Sequence, residues 1–195
     1  MENNPLNLTQ FLDQLERFEQ NISSKELEEH LKALTFSDEE LKRFQCFESS
    51  RYVRNLIYRG VHFEVLLLCF EAGQRTPIHD HAGSACGVKI IRGTGMESVY
   101  GATDDHWIYP IGTSELNAGD VLSSNDSDTH QLSNLQADGK QLVTLHVYSP
   151  PLVLVGNYSI TDNTVTHVSA PTNDRTNELV NDLADQRIDQ PAVVS

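Results

Sequence analysis

The chain has 195 residues, a net charge of −14 and 38% hydrophobic residues, which favours one soluble domain with a sizeable core. An acidic surface repels nucleic-acid phosphates and anionic lipid, so we expect neither nucleic acid nor a membrane as a partner. No apolar stretch opens the chain, and three cysteines make a poor disulfide framework, so we predict a cytoplasmic protein without a secretory signal. We expect it to be a monomer.

The first part of that single domain, residues 1–47, is predicted to be helical. Polar N-cap residues, at Asn7, Ser23 and Ser37, precede apolar stripes with helical spacing. The first stripe consists of Leu8, Phe11, Leu12, Leu15 and Phe18. The second stripe consists of Leu27, Leu31 and Leu34. We interpret both stripes as surfaces that pack against a core.

From about residue 50 the pattern changes to short β-rich runs separated by Gly, Asp, Asn and Pro. The predicted strands are Tyr52–Ile57, His62–Phe70, Val88–Ile91, Glu97–Tyr100, Val121–Ser123, Leu142–Tyr148, Tyr158–Thr161 and Thr164–Val168. This spacing favours a sandwich or barrel, over residues 48–170, rather than alternating βα units. The rest, residues 171–195, is predicted to be a polar C-terminal tail.

Two histidines at alternate positions, His79 and His81, would point to the same face of a strand. A third, His130, could approach from a distant strand. Three neutral imidazoles suit zinc, copper, iron or nickel and do not choose among them. Because this ligand set carries no charge, a bound ion would attract an anionic ligand such as a thiolate. A pair of histidines in a surface loop is the alternative.

Polar side chains also alternate with aliphatic ones in a later predicted strand. Thr144, His146 and Tyr148 would share one face, and this face either lines an interior or points to water. Similarly, Tyr52 and Arg54 would share a face near the start of the barrel. A buried Arg there requires an anion such as a carboxylate, whereas an exposed one would pair with a surface acid.

Two longer patterns resemble the cupin motifs. The first consists of Gly73, His79, His81, Cys86 and Gly93, with Cys86 where the general cupin pattern has a ligating Glu. The second consists of Gly119, His130 and Asn134, with Asn125 and Ser127 in place of the usual Pro and inner Gly. Three segments, starting at Arg51, Pro77 and Leu145, resemble the signature segments of cysteine dioxygenase.

The resemblance implies a mainly β, cupin-type jelly-roll barrel with N-terminal helices packed on it. It implies that His79, His81 and His130 hold Fe(II), that Arg54 takes the carboxylate of L-cysteine, and that Tyr52 lines the same end. Thr144, His146 and Tyr148 would form a hydroxyl–imidazole–phenol line, although the family often has Ser at the first position. Cys86 matches the cysteine that, in animal members, forms a thioether with the active-site Tyr, which here would be Tyr148. Many bacterial members have Gly at that position, and a one-residue shift of the match would place Gly87 there instead.

The implied reaction is the oxidation of L-cysteine by O2 to cysteine sulfinic acid. An enzyme for another small thiol, such as 3-mercaptopropionate, is the nearest alternative. A non-catalytic cupin that binds a small molecule is an alternative from another class, because the fold hosts many functions. A zinc hydrolase is disfavoured, since no acid occupies an obvious general-base position within the motifs.

Overall fold

The computed structural model describes residues 5–125, 129–170 and 172. Three short helices come first: α1 (Leu8–Leu15), α2 (Ser24–Ala33) and α3 (Asp38–Phe44). Each starts with a capping box, in which the side chains of Asn7, Ser23 and Ser37 accept the backbone N–H three residues on. The predicted helix starts are therefore confirmed. Within the described ranges, no helix has the length and apolar character needed to cross a bilayer.

Ten strands follow the helices and form a mainly β body. They are β1 (Val53–Arg59), β2 (Glu64–Phe70), β3 (Ala85–Arg92), β4 (Thr94–Ala102), β5 (Ile108–Asn117), β6 (Val121–Ser124), β7 (Thr129–Ser133), β8 (Leu142–Ser149), β9 (Leu154–Tyr158) and β10 (Val165–Ser169). One sheet has the order β1-β2-β8-β3-β6, a second has the order β5-β4-β7, and β9 and β10 form a hairpin.

An extended segment, residues 73–80, connects the three-stranded sheet to the hairpin. His79 exchanges two backbone hydrogen bonds of 2.9 Å with His130 on β7. On the other side, His79 is paired with Asn157 on β9. This second layer faces the five-stranded sheet across a shared apolar core. The arrangement is the cupin fold that the sequence predicts, although the hydrogen bonding between the described strands does not close the barrel.

The five-stranded sheet is covered on its outer face by the helices. Val143, Leu145 and Val147 of β8 pack with helical leucines in one buried cluster. Leu142 and Tyr148 point the other way, into a second cluster between the sheets. The alternation of β8 therefore places an aliphatic face under the helices and a polar face inside the barrel. The predicted packing of the N-terminal helices on the barrel is confirmed.

Helix α2 lies very close to β3. A Cβ added to Gly87 would stand only 2.7 Å from the Cδ1 of Leu31 and 3.0 Å from the Cβ of Leu27, so any larger residue would force α2 or its side chains to move. Two residues on, the ammonium of Lys89 donates to the backbone carbonyls of Leu31 and Leu34 at 2.8 and 2.6 Å. These bonds give a charged donor to carbonyls at the C-terminus of the helix, where the Leu31 carbonyl also accepts a 3.3 Å hydrogen bond from the Leu34 N–H.

Several strands depart from the predicted pattern. β5 was not predicted, because nearly all its residues are exposed and it contains Pro110. β7 is only five residues long and was also not predicted. The strand predicted over Tyr158–Thr161 instead ends at Tyr158, because the next residues form a turn in which the Ser159 hydroxyl accepts backbone N–H groups. Apart from residue 172, the predicted C-terminal tail lies outside the described residues, as does Ser127.

Candidate metal centre and adjoining cavity

The three predicted histidines meet inside the barrel. One ligand nitrogen from each of His79, His81 and His130 lies within 4.8 Å of the others. All three side chains are buried. Only His130 is on a named strand, β7; His79 is in the extended segment and His81 lies just beyond it, so the prediction that both share a regular strand is wrong. Backbone pairing of His79 to β7 brings the ligands together instead.

Hydrogen bonds fix how two of the rings are turned. The Nδ1 of His79 lies 3.0 Å from the carbonyl oxygen of Pro77, and the Nδ1 of His130 lies 2.8 Å from Oε1 of Glu97. Both partners are acceptors, so in the neutral ring each Nδ1 carries the proton and each Nε2 keeps its lone pair. The Nε2 atoms of His130 and His81 are 3.2 Å apart. Lone pairs that converge this closely form a cation site.

Burial keeps the imidazoles of His79 and His81 neutral. Desolvation, together with the neighbouring His130, lowers the pKa of His79 to about 3. The pKa of His81 falls well below its usual value, for the same reasons. Neutral imidazole is the form that binds metal ions. The residues present therefore fit a transition-metal ion.

A hydrogen-bonded line runs along the inner face of β8. The Oγ1 of Thr144 lies 2.9 Å from Nε2 of His146, and Nδ1 of His146 lies 3.1 Å from the hydroxyl of Tyr148. All three side chains are buried, so the alternative in which they face water is excluded. Burial lowers the pKa of His146 and raises that of Tyr148, which favours the neutral form of both.

Cys86 on β3 is the cross-strand partner of Tyr148 on β8. Residues paired in this way present their side chains to the same face of a sheet. Both side chains are buried. Burial raises the pKa of the Cys86 thiol, and a hydrogen bond with Tyr148 partly opposes this. Gly87 points to α2 instead, so of these two neighbours only Cys86 can contact the phenol.

Arg54 lies beside this group, on the inner face of β1. Its Cζ is 5.6 Å from the centroid of the Tyr148 ring, within the range of a cation–π contact. Its Nε and Nη2 are buried and donate to no residue in the described ranges. A buried guanidinium with unused donors is costly. The alternative, an exposed Arg paired with a surface acid, does not fit these contacts.

A cavity of about 300 Å³ joins the guanidinium to the metal centre. Its walls include Arg54, Tyr52 and His79. Tyr52 is held by stacking on Phe70, with ring centroids 5.0 Å apart. The cavity is large enough for a small amino acid, and it offers cationic donors at one side and a metal ligand at another.

Three polar residues at the site were not predicted from the sequence. Glu97 orients His130. Asp80 accepts hydrogen bonds from the Gly156 backbone at 2.9 Å and the Tyr158 hydroxyl at 3.0 Å, and so ties the ligand segment to β9. Asn157 lines the cavity. Only Asp80 could have been suspected from the sequence, because it lies between the candidate ligands His79 and His81. The positions of Glu97 and Asn157 depend on pairing between distant segments.

Comparisons with known proteins identify similar chains. Residues 3–161 match the family model for cysteine dioxygenase type I. Cysteine dioxygenase type 1 of Danio rerio is 29% identical over 136 residues, which cover 67% of this chain and 67% of that protein. The Rattus norvegicus protein is 31% identical over 134 residues, which cover 67% of this chain and 66% of that protein. The chain thus matches about two thirds of the length of these relatives.

Among solved structures, an uncharacterized conserved protein with a double-stranded beta-helix domain from Klebsiella pneumoniae is similar over 61% of this chain and 94% of that one. The identity is 15% and the TM-score is 0.49.

Proposed function

Because the chain belongs to the cysteine dioxygenase type I family, we propose that it is an iron-dependent thiol dioxygenase that oxidises L-cysteine with O2 to cysteine sulfinic acid. One observation carries this proposal: a cluster of three buried imidazoles adjoins, through His79, a cavity that also holds Arg54, whose buried Nε and Nη2 donate to no residue in the described ranges. A thiol that also carries a carboxylate satisfies both ends of that cavity.

His79, His81 and His130 would hold Fe(II) through their Nε2 atoms. When bound, iron supplies the redox chemistry through which O2 reacts with a thiolate. Because histidines bound as neutral imidazoles contribute no charge, a bound ion would keep its full positive charge and would favour an anionic sulfur ligand. Glu97 and the carbonyl of Pro77 hold two of the rings in the orientation that binding requires.

Arg54 would bind the substrate carboxylate. Its Nε and Nη2 can donate two parallel hydrogen bonds to the two carboxylate oxygens. Tyr52 closes the same end of the cavity. Fixing the carboxylate gives the substrate one orientation, which places its sulfur toward the histidines and removes entropy from the barrier.

Tyr148 would donate a hydrogen bond to the bound substrate. Its phenol stays protonated, since burial raises its pKa. Nδ1 of His146 would donate to the phenol oxygen, which leaves the phenol proton for the substrate, and Nε2 of His146 would accept from the Thr144 hydroxyl. The line therefore sets both the position of the hydroxyl and the direction of its proton.

The Cys86–Tyr148 thioether forms part of the same proposal. Its formation would join Sγ of Cys86 to the ring carbon ortho to the Tyr148 hydroxyl (Cε), and remove the S–H and C–H hydrogens, with their two electrons passing to O2. The direct pairing of the two residues supports this link. The crosslink would hold the phenol rigidly beside Arg54.

Product analysis tests the reaction. Iron-loaded protein is given L-cysteine, 3-mercaptopropionate or neither, while O2 consumption is followed and products are identified by mass spectrometry. We expect cysteine sulfinic acid from L-cysteine, and no O2 uptake by a His130→Ala variant. A preference for 3-mercaptopropionate would favour the alternative substrate, and no uptake with either thiol would favour a non-catalytic cupin. The cytoplasmic location, the monomeric state and the single-domain organisation stay predictions.

A further inference from the structure

Asn157 is a polar residue of the cavity to which neither the metal centre nor the carboxylate contact assigns a role. It lies on β9 and is paired directly with His79. Paired residues in antiparallel strands present their side chains to the same face of the sheet, close together. The amide of Asn157 therefore borders a candidate metal ligand, and both residues line the same cavity as Arg54.

The amide oxygen of Asn157 is buried and accepts no hydrogen bond from any residue that the structure describes. Buried acceptors in folded proteins almost always have a donor. Arg54, across the same cavity, has two buried donors without an acceptor. The cavity thus offers two donors on a cation and one neutral acceptor. Together they complement a molecule that carries both a carboxylate and an N–H group.

We propose that Asn157 is a specificity-determining residue, whose amide oxygen accepts a hydrogen bond from the α-amino group of the substrate. The inference rests on the proposed function and extends it. An amine keeps N–H donors whether or not it also binds the metal. Asn157 thereby selects an amino thiol over a thiol that has only the carboxylate.

The contact also selects by chirality. The thiol, the carboxylate and the amine of L-cysteine reach the histidines, Arg54 and Asn157 together. D-cysteine carries the same three groups but cannot place all of them at these contacts.

The contact also selects against a thiol without an amine. A site built to accept a hydrogen bond from a substrate N–H rejects an analogue that lacks the N–H, because the acceptor of the protein is then left unpaired. In 3-mercaptopropionate the thiol and carboxylate are kept and the amine is absent.

The test compares Asn157→Ala and Asn157→Leu with wild type, using L-cysteine, D-cysteine and 3-mercaptopropionate. Leucine keeps the side-chain volume, so it separates a lost hydrogen bond from an enlarged cavity. Thr166→Ala is the matched control, because Thr166 is the exposed partner of Asn157 on β10 and does not line the cavity. Two readouts are taken: kcat/KM for each thiol, and calorimetric binding of each thiol without O2.

We expect both Asn157 variants to lose about tenfold or more of the preference for L-cysteine over 3-mercaptopropionate, in kcat/KM and in binding. Their kcat/KM for 3-mercaptopropionate should not fall by more than about threefold and can rise, since that substrate makes no contact with the amide and leaves its acceptor unpaired in wild type. The discrimination against D-cysteine should fall in parallel.

An unchanged ratio, or an equal loss for all three thiols, overturns the inference. Failure of the proposed function looks different: wild type would then consume no O2 with any thiol, or would consume it preferentially with 3-mercaptopropionate. In that case the anaerobic titration still decides whether Asn157 recognises the amine.

Discussion

Cys86 and Tyr148 are directly paired on β3 and β8, with both side chains buried inside the barrel. We predict that aerobic turnover with iron and L-cysteine lowers the intact mass of the protein by two hydrogens, as the thioether forms. Peptide mapping should place the link between these two residues. The Cys86→Ala variant must show no such loss. Persistence of the loss in that variant, or its absence in wild type, contradicts the crosslink.

The carboxylate contact predicts a selective defect in Arg54→Met. Methionine keeps much of the side-chain volume but removes the cation, so two charge-assisted hydrogen bonds of about 1.5–3 kcal/mol each are lost. We expect KM for L-cysteine to rise by tenfold or more, since about 1.4 kcal/mol corresponds to each factor of ten. Steady-state kinetics measures this.

Two comparisons make the Arg54 result specific. Cysteamine has no carboxylate, so its turnover should respond little to Arg54→Met. Arg51→Met provides the control variant, because Arg51 is exposed and pairs with Glu48 on the surface. An unchanged KM for L-cysteine in Arg54→Met would show that the guanidinium is not the carboxylate contact.

Glu97 is predicted to strengthen metal binding through His130. Removing its carboxylate in Glu97→Ala leaves Nδ1 of His130 without the partner that fixes the ring, which in metal sites typically costs about 10–100-fold in affinity. Glu97→Gln keeps an acceptor oxygen, so its metal affinity should lie between those of wild type and Glu97→Ala. Competition with a chelator measures the affinity, and Glu115→Gln on exposed β5 is the control. Equal affinities for all four proteins would remove Glu97 from the metal centre.

Lys89 is predicted to stabilise the attachment of α2 to the barrel. In Lys89→Met two carbonyls at the end of α2 lose their charged donor, and we expect a loss of about 1.5–3 kcal/mol in the free energy of unfolding. Urea unfolding measures it. Lys32→Met tests an exposed lysine on α2, whose pair with Glu28 should contribute only about 0.3–0.5 kcal/mol. If Lys89→Met lost no more unfolding free energy than Lys32→Met, this role of Lys89 would be contradicted.

Local patterns in the sequence were enough to predict much of the site. The alternation of Thr144, His146 and Tyr148 correctly indicated a shared face, because β8 is a regular strand. The grouping of His79 and His81 was correct, but its stated cause was not: His81 lies outside any strand. The three rings meet because His79 pairs with β7.

What the sequence did not reveal depends on contacts between distant segments. Asn157 borders His79 across 78 positions of the chain only because β9 joins the extended segment. Glu97 reaches His130 because β4 lies beside β7. No spacing rule connects such residues, since register between strands is set by packing and by turns. β5 was missed for another reason: an exposed strand with a proline has no hydrophobic alternation.

The two sides of the cavity are formed by separate parts of the fold. Arg54, like Tyr148 beside it, belongs to the helix-covered five-stranded sheet, whereas Asn157 belongs to the β9–β10 hairpin, which that sheet does not include. Cavity-facing mutations in the hairpin that keep Gly156 and Tyr158, which hold the ligand segment, can therefore change which small molecule is accepted without altering the five-stranded sheet. A graft of residues 154–169 that keeps those two residues, from a relative with another preference, would be a direct route to redesigning this enzyme.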